Sequence, residues 1–435
     1  MHDTNIKRLA DLKEFDVLRD AAEALCSHND DGETLEVAVF CKISGHTDAA
    51  RALLEHLVKK APTYAAAHYE LAVIYRDLKR LLEAVPHARR AYELATNSFR
   101  FGVFYAHMLF ANGAWDEGRQ QLSRVQAEND EETAELLAMG DFGDYLRDFP
   151  RNRALFITQE LRSKYYWMNA REVAKDIEQA IIQKRPFSLI RLGDGDGAHF
   201  RVSEENEKSY PHLHKATRSA HTKFLLGVDV DPVFTGYTGL TSKLAEYVCE
   251  ADILGIAYPS WIAHEYDIAS PITLNCLMNI NRFFYENDRV PNLSLCDQLI
   301  HIQLHDQKLL EPIVKRLPAV TVISCLDGLP GRIREMFGIE DVEFIKIPSE
   351  TYAPHLYGET RLRQSAHYPH VFWPTIQRLS APHEGRVFLI AAGTFGKYYA
   401  SIIKRHGGIA LDLGSLVDGW MRLVSRPGYE AFATE

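Results

Sequence analysis

The chain has 435 residues, 46% of them hydrophobic and 25% charged, with a formal net charge of -10. That length exceeds one compact domain and leads to an expectation of two. The acidic balance argues against a general nucleic-acid binder, which needs a basic surface to neutralise phosphates.

The N-terminus, Met1-His2-Asp3-Thr4, has no basic segment followed by an apolar run, so no secretory signal is expected. No uninterrupted apolar stretch approaches the ~20 residues of a membrane helix. Six cysteines, Cys26, Cys41, Cys249, Cys276, Cys296 and Cys325, are widely spaced and form no Cys-x-x-Cys pair. They read as reduced, mostly buried thiols, and the expected location is the cytoplasm, free or peripheral to the inner membrane.

In chain order, Ile6 to Leu25 suggests a capping helix. From about 31 to 132, small or apolar residues recur every 34 positions. Ala38, Ala72 and Ala106 correspond, as do Ala50, Ala84 and Gly118, then Leu54, Ala88 and Leu122, then Leu57, Ala91 and Val125. Gly45 and Gly113 share a turn position, each three residues before an aspartate (Asp48, Asp116). Small residues let two helices cross closely, and glycine permits the tight turn between them. The pattern resembles tetratricopeptide repeats, about three of them, and the resemblance implies a surface for a protein partner. The stretch from Asp141 to Pro150 reads as the connection to a second domain, giving boundaries of 1–150 and 151–435.

Beyond about 155, β-branched runs alternate with helical ones. Strands are expected at 187–191, 253–257, 319–324, 342–347, 386–391 and 409–413. Helices are expected at 170–183, 240–251 and 396–406. This alternation predicts an α/β Rossmann-like domain with a mainly parallel sheet, binding its ligand beyond the carboxyl ends of the strands.

Arg191-Leu192-Gly193-Asp194-Gly195-Asp196-Gly197 follows the first of these strands. The glycines suit a tight turn with positive φ and close approach of backbone N–H groups to a ligand, and they make Gly193 and Gly195 candidate binding residues. Asp194 and Asp196 offer two hard oxygen ligands for Mg²⁺ or Mn²⁺, although Asp and Gly also dominate ordinary turns. Arg191 reads either as a phosphate ligand or as an ion-pair partner that orients the aspartates. Gly393, Thr394 and Gly396 lie between a strand and a helix, where N–H groups can receive a phosphate. His264 and Asp327 follow predicted strands and are candidate acid–base groups. His212 and His214 suggest zinc without a third ligand, and Trp261, Trp373 and Trp420 read as packing residues or as stacking platforms.

The stretch Ser188 to Asp196 resembles the Arg-Phe-Gly-Asp-Gly-Glu signature of GT-D-type glycosyltransferases through Arg191, Gly193, Asp194 and Gly195. Leu192 departs from Phe and Asp196 from Glu. The segment 387–414 is similar to the closing strand–turn–helix–strand unit of that class at Thr394, Asp412 and Gly414. The resemblance implies a GT-D-type catalytic domain with a divalent metal, Mn²⁺ or Mg²⁺, on Asp194 and Asp196. It further implies a nucleotide-sugar donor, UDP-linked by preference, and a glycan or glycoprotein acceptor of the bacterial surface. Two rival readings remain. Leu411-Asp412-Leu413-Gly414 also resembles the first motif of adenosylmethionine-dependent methyltransferases, and a repeat scaffold with a disused catalytic domain is the non-enzymatic reading.

Overall fold

The computed structural model describes residues 30–226, 236–349, 367–423 and 425. The expected capping helix Ile6 to Leu25 lies outside them. The chain divides into two compact units. The first holds the described residues up to Arg151 with Tyr210–Leu213 and Ala263–Pro271. The second holds Asn152–Ser209, His214–Ile262 and the chain from Ile272 onward.

The first unit opens with three helical hairpins, α1 Asp31–Ile43 with α2 Thr47–Lys60, α3 Ala65–Asp77 with α4 Leu81–Leu94, and α5 Phe99–Ala111 with α6 Trp115–Leu122. The first helices begin at 31, 65 and 99 and their partners at 47, 81 and 115, the same 34-residue spacing as the sequence period. The small residues predicted at the crossings are buried, among them Ala38, Ala50, Ala72, Ala84 and Ala106, each at 0% exposure. Positive φ recurs between the helices of each pair, at Gly45, Lys79 and Gly113. The turn is thus needed in every repeat, even where the middle one carries lysine.

A long helix, α7 Asp130–Asp148, follows. It replaces the connection expected from Asp141 to Pro150. Asn129 caps it, accepting the Glu132 N–H at 2.9 Å. Phe142, Tyr145 and Leu146 form its buried face. Its Asp and Gly residues suggest a loop in sequence, yet Gly143 serves packing. A Cβ there would stand 2.7 Å from the Phe110 ring, and one at Gly118 would stand 2.5 Å from it.

The second unit begins with α8 Arg151–Lys164, apart from its first residue, and builds an eight-stranded sheet that is parallel throughout. Its strands are β1 Tyr166–Met168, β2 Phe187–Arg191, β3 Ile253–Ile256, β4 Ser294–Asp297, β5 Ala319–Ser324, β6 Asp341–Lys346, β7 Val387–Ile390 and β8 Ile409–Asp412. Their order is β1-β4-β3-β2-β8-β7-β5-β6. All six predicted strands form, and β1 and β4 are additional. Alternate residues feed two separate cores. Ile190, Leu254, Phe388 and Ile390 pack on one face. Leu189, Ile253, Val387, Leu389 and Leu411 pack on the other. Burial on both faces is what a parallel sheet requires.

Two further helices position the site. Helix α9 Ala170–Gln183 leads into β2 under an Asn169–Glu172 capping box. Helix α10 Phe395–Arg405 joins β7 to β8. The helix expected over 240–251 is broken into Tyr237–Thr241 and Leu244–Val248.

Candidate functional site at the carboxyl ends of β2, β7 and β8

Strands β2, β8 and β7 run side by side in register, with Leu189 opposite Leu411 and Ile390 opposite Asp412. Their loops therefore open at one level. They bring together the Arg191–Gly197 stretch, the Gly393–Thr394 turn and the end of β8, which are about two hundred residues apart in the chain.

Arg191 is buried and ties three strand ends together. Its Nε donates to the Asp412 carbonyl at 2.9 Å, and its Nη2 lies 3.6 Å from Asp412 Oδ1. Its Nη1 donates to the Gln298 carbonyl at 3.2 Å and to the His301 ring at 2.9 Å. Its ion-pair partner is thus Asp412, whereas one of the two sequence readings has it orienting the loop aspartates. Gly255 leaves room for the arginine stem, since a Cβ there would lie 3.2 Å from Arg191 Cγ. Gly414, at φ +49°, leaves room for the guanidinium: a Cβ would fall 1.9 Å from Nη2.

Asp412 also receives Lys397, whose Nζ lies 2.7 Å from Oδ2. Burial would raise the Asp412 carboxyl, but Lys397 and then Arg191 outweigh it and hold the pKa below the ordinary value. Lys397 stands in the first turn of α10 and is itself buried. The sequence reading did not single it out, because nothing local distinguishes a lysine on an amphipathic helix.

The two loop aspartates have different surroundings. Asp196 is 4% exposed. Its Oδ2 accepts the Gly193 N–H at 2.7 Å, and its Oδ1 accepts the Thr394 hydroxyl at 2.6 Å. Lys397 Nζ is 3.9 Å from Oδ2. Asp194 is exposed and makes no hydrogen bond or ion pair among the described residues. Among those residues no group of three His, Cys, Asp or Glu side chains could hold a metal ion. The pair therefore does not fit a two-carboxylate metal clasp, because one member faces outward and the other is engaged within the protein on both oxygens.

Behind Thr394 lie two histidines. His221 Nε2 is 3.3 Å from Thr394 Oγ1, and His221 Nδ1 is 2.9 Å from His199 Nε2. Since Thr394 donates to a carboxylate, it must accept from His221 Nε2–H. His221 Nδ1 must then accept from His199. Burial depresses both histidine pKa values, and for His221 the Asp196 and Asp194 charges oppose that effect. Both rings are thus neutral near pH 7. Neither was among the sequence candidates, as they carry no motif.

The loop glycines are required for a reason other than the expected one. None of Gly193, Gly195 and Gly197 has positive φ. A Cβ at Gly195 would lie 2.3 Å from the His221 ring, and one at Gly197 would lie 1.8 Å from the Cys276 carbonyl oxygen. Close approach to the protein's own interior is what demands glycine here. Gly393 does take φ +50°. Gly396 packs against β7, where a Cβ would be 3.1 Å from Ile390, and its N–H already bonds the Ala392 carbonyl at 3.1 Å.

Two candidates fall outside this cluster. His264 belongs to the segment Ala263–Pro271, which packs with the helical unit. Asp327 is exposed beyond β5 and pairs with Lys346 at 2.7 Å. The zinc suggestion also finds no site: His214 is buried beside Asn206 at 2.9 Å, and burial lowers its pKa to about 4. Trp420 packs into the core against Phe337, whereas Trp373 is half exposed.

Residues 168–338 match the GT-D fold-like domain. The match contains the Arg191–Gly197 stretch and stops before the Gly393–Gly414 segment. No curated protein matches the sequence. A solved structure of a mutant O-GlcNAc transferase from Thermobaculum terrenum aligns over 88% of this chain and 75% of its own, at 11% identity and a TM-score of 0.27, too low to bear on fold or function. Among the described residues no helix is long and apolar enough to cross a membrane. Taken with the parallel sheet and the loop beyond β2, the match shows that this chain carries a GT-D fold-like domain, preceded in sequence by an all-helical region.

Proposed function

We propose that the α/β unit is a glycosyltransferase that moves a sugar from a nucleotide-sugar, UDP-linked by preference, to a glycan or glycoprotein acceptor. The observation that carries this reading is the loop beyond β2. Within a GT-D fold-like domain, it holds Asp194 outward at the carboxyl ends of the strands, where parallel sheets take their ligands. The loop is held from beneath by Asp196, Thr394 and Lys397, so Asp194 stands on a fixed support. The methyltransferase rival rests on the motif around Asp412, and there the carboxylate is engaged within the protein by Arg191 and Lys397 rather than open to a ligand.

The helical unit is the proposed place for the acceptor or a protein partner. Supporting this is a cavity of about 420 Å³ lined by Tyr69, Val103, Phe104 and Met139, with Arg100 and Glu135 among its walls. The proposed setting is the cytoplasm, at or near the inner membrane.

Donor hydrolysis, followed by mass spectrometry of the released nucleotide, tests the assignment. Asp194→Asn should lower it by about 10²-fold, the usual loss when one positioned polar group is removed, with the melting temperature unchanged. An unaltered rate would remove Asp194 from the site.

A further inference from the structure

We infer that Asp196 is a positioning residue and not a metal ligand, and that Lys397 supplies, from within the chain, the positive charge that a divalent cation would bring to this loop. Three observations support the inference. First, both Asp196 oxygens are engaged, by the Gly193 N–H at 2.7 Å and by the Thr394 hydroxyl at 2.6 Å. Second, the Lys397 ammonium lies 3.9 Å from Oδ2, so a divalent ion bound to that oxygen would be placed against a buried cation. Third, the buried charges already balance: Arg191 and Lys397 oppose Asp196 and Asp412, and all four are at most 6% exposed.

A site neutralised internally has no deficit for a metal ion to fill. Magnesium and manganese favour carboxylates that keep open coordination positions and water around the ion. Asp194 alone meets that condition, and one exposed carboxylate is a weak ligand. A nucleoside diphosphate therefore binds this loop without depending on an ion held by the pair. That consequence rests on the donor reading above, whereas the role of Asp196 does not.

The decisive experiment titrates Mn²⁺ into the full chain without nucleotide and follows the free-ion paramagnetic resonance signal. The wild type should leave the signal unchanged up to about 100 µM metal, a range in which built oxygen sites bind divalent ions. Lys397→Met, which removes the internal cation, should gain at least about tenfold in Mn²⁺ affinity. Uptake by the wild type that is lost in Asp194→Asn alone also leaves Asp196 as a positioning residue. One ion bound per chain and lost in Asp196→Asn, with circular dichroism unchanged, overturns the inference. If Asp196→Asn fails to fold, tight wild-type uptake that survives Asp194→Asn and that Lys397→Met does not strengthen overturns it equally.

A second arm measures UDP binding by calorimetry in EDTA and in Mn²⁺. Affinities within about tenfold of each other support the inference, and a larger dependence contradicts it. If UDP and the other nucleotides do not bind at all, the glycosyltransferase reading fails, while the ion titration still decides the role of Asp196.

Discussion

Asp412 lies between Lys397 at 2.7 Å and Arg191 at 3.6 Å, buried on all sides. Removing its charge strands two cations in a low-dielectric interior. Asp412→Asn should therefore cost about 3–5 kcal/mol in urea denaturation, the usual penalty for breaking a buried ion pair; a loss under about 1 kcal/mol would mean the network is not stabilising. The glycines offer a matched pair of tests. Gly197→Ala pushes a methyl to 1.8 Å from a backbone carbonyl, whereas Gly331→Ala meets nothing within 4 Å on the helix Leu329–Phe337. The first should destabilise by several kcal/mol, and the second should stabilise by up to about 1 kcal/mol through helix propensity. Equal effects from both would show that the close approach is not real. At this scale the sequence singled out Asp194, Asp196 and Thr394 as candidates, because they sit in short Gly-rich turns at strand ends. It did not reveal Lys397, in the helical turn just after Thr394, or His221, which reaches the same point from the helix Pro211–Leu226. It also suggested positive φ for the Gly193–Gly197 loop, where the constraint is a wall of neighbouring atoms that only the folded chain supplies.

At the level of elements, short apolar runs alternating with helical stretches made six strands legible. Strand β4, Ser-Leu-Cys-Asp, escaped because it has only two apolar residues and follows a Pro-Asn turn, although it is covered by β1 and β3 on its two edges. Helix α7 escaped because glycine and aspartate are loop-like in sequence, and Gly143 is there to admit the Phe110 ring. Buried histidines make several elements sensitive to acid. Burial lowers His107 on α5 to about 4, with Arg76 adding to the effect, and lowers His367 to about 3. In the unfolded chain both titrate near 6.5. Protons then favour the unfolded state, so stability is full above pH 6.5 and declines as pH falls from there towards the folded values. Each group removes up to about 1.4 kcal/mol per pH unit in that window. Chemical denaturation at pH 7.5 and 5.5 should show this loss, and His107→Gln should lessen it. A stability independent of pH across that interval would contradict the burial of these rings.

Over the whole molecule, the sequence showed a change of periodicity, from a 34-residue repeat to alternating strands and helices. The structure has the corresponding three helical hairpins and the parallel sheet. It did not show that Tyr210–Leu213 and Ala263–Pro271 pack with the helical unit, since that depends on contacts across long stretches of chain. This is also why His264 looked like a candidate for the sheet's site. Donor recognition underlies the proposed function. The most direct test is a thermal-shift and calorimetric comparison of the full chain with UDP-, GDP-, CMP- and dTDP-sugars and with adenosylmethionine. One nucleotide-sugar should raise the melting temperature by mass action, and Asp194→Asn should abolish the shift. Binding of adenosylmethionine with no response to any nucleotide-sugar would contradict the proposed function.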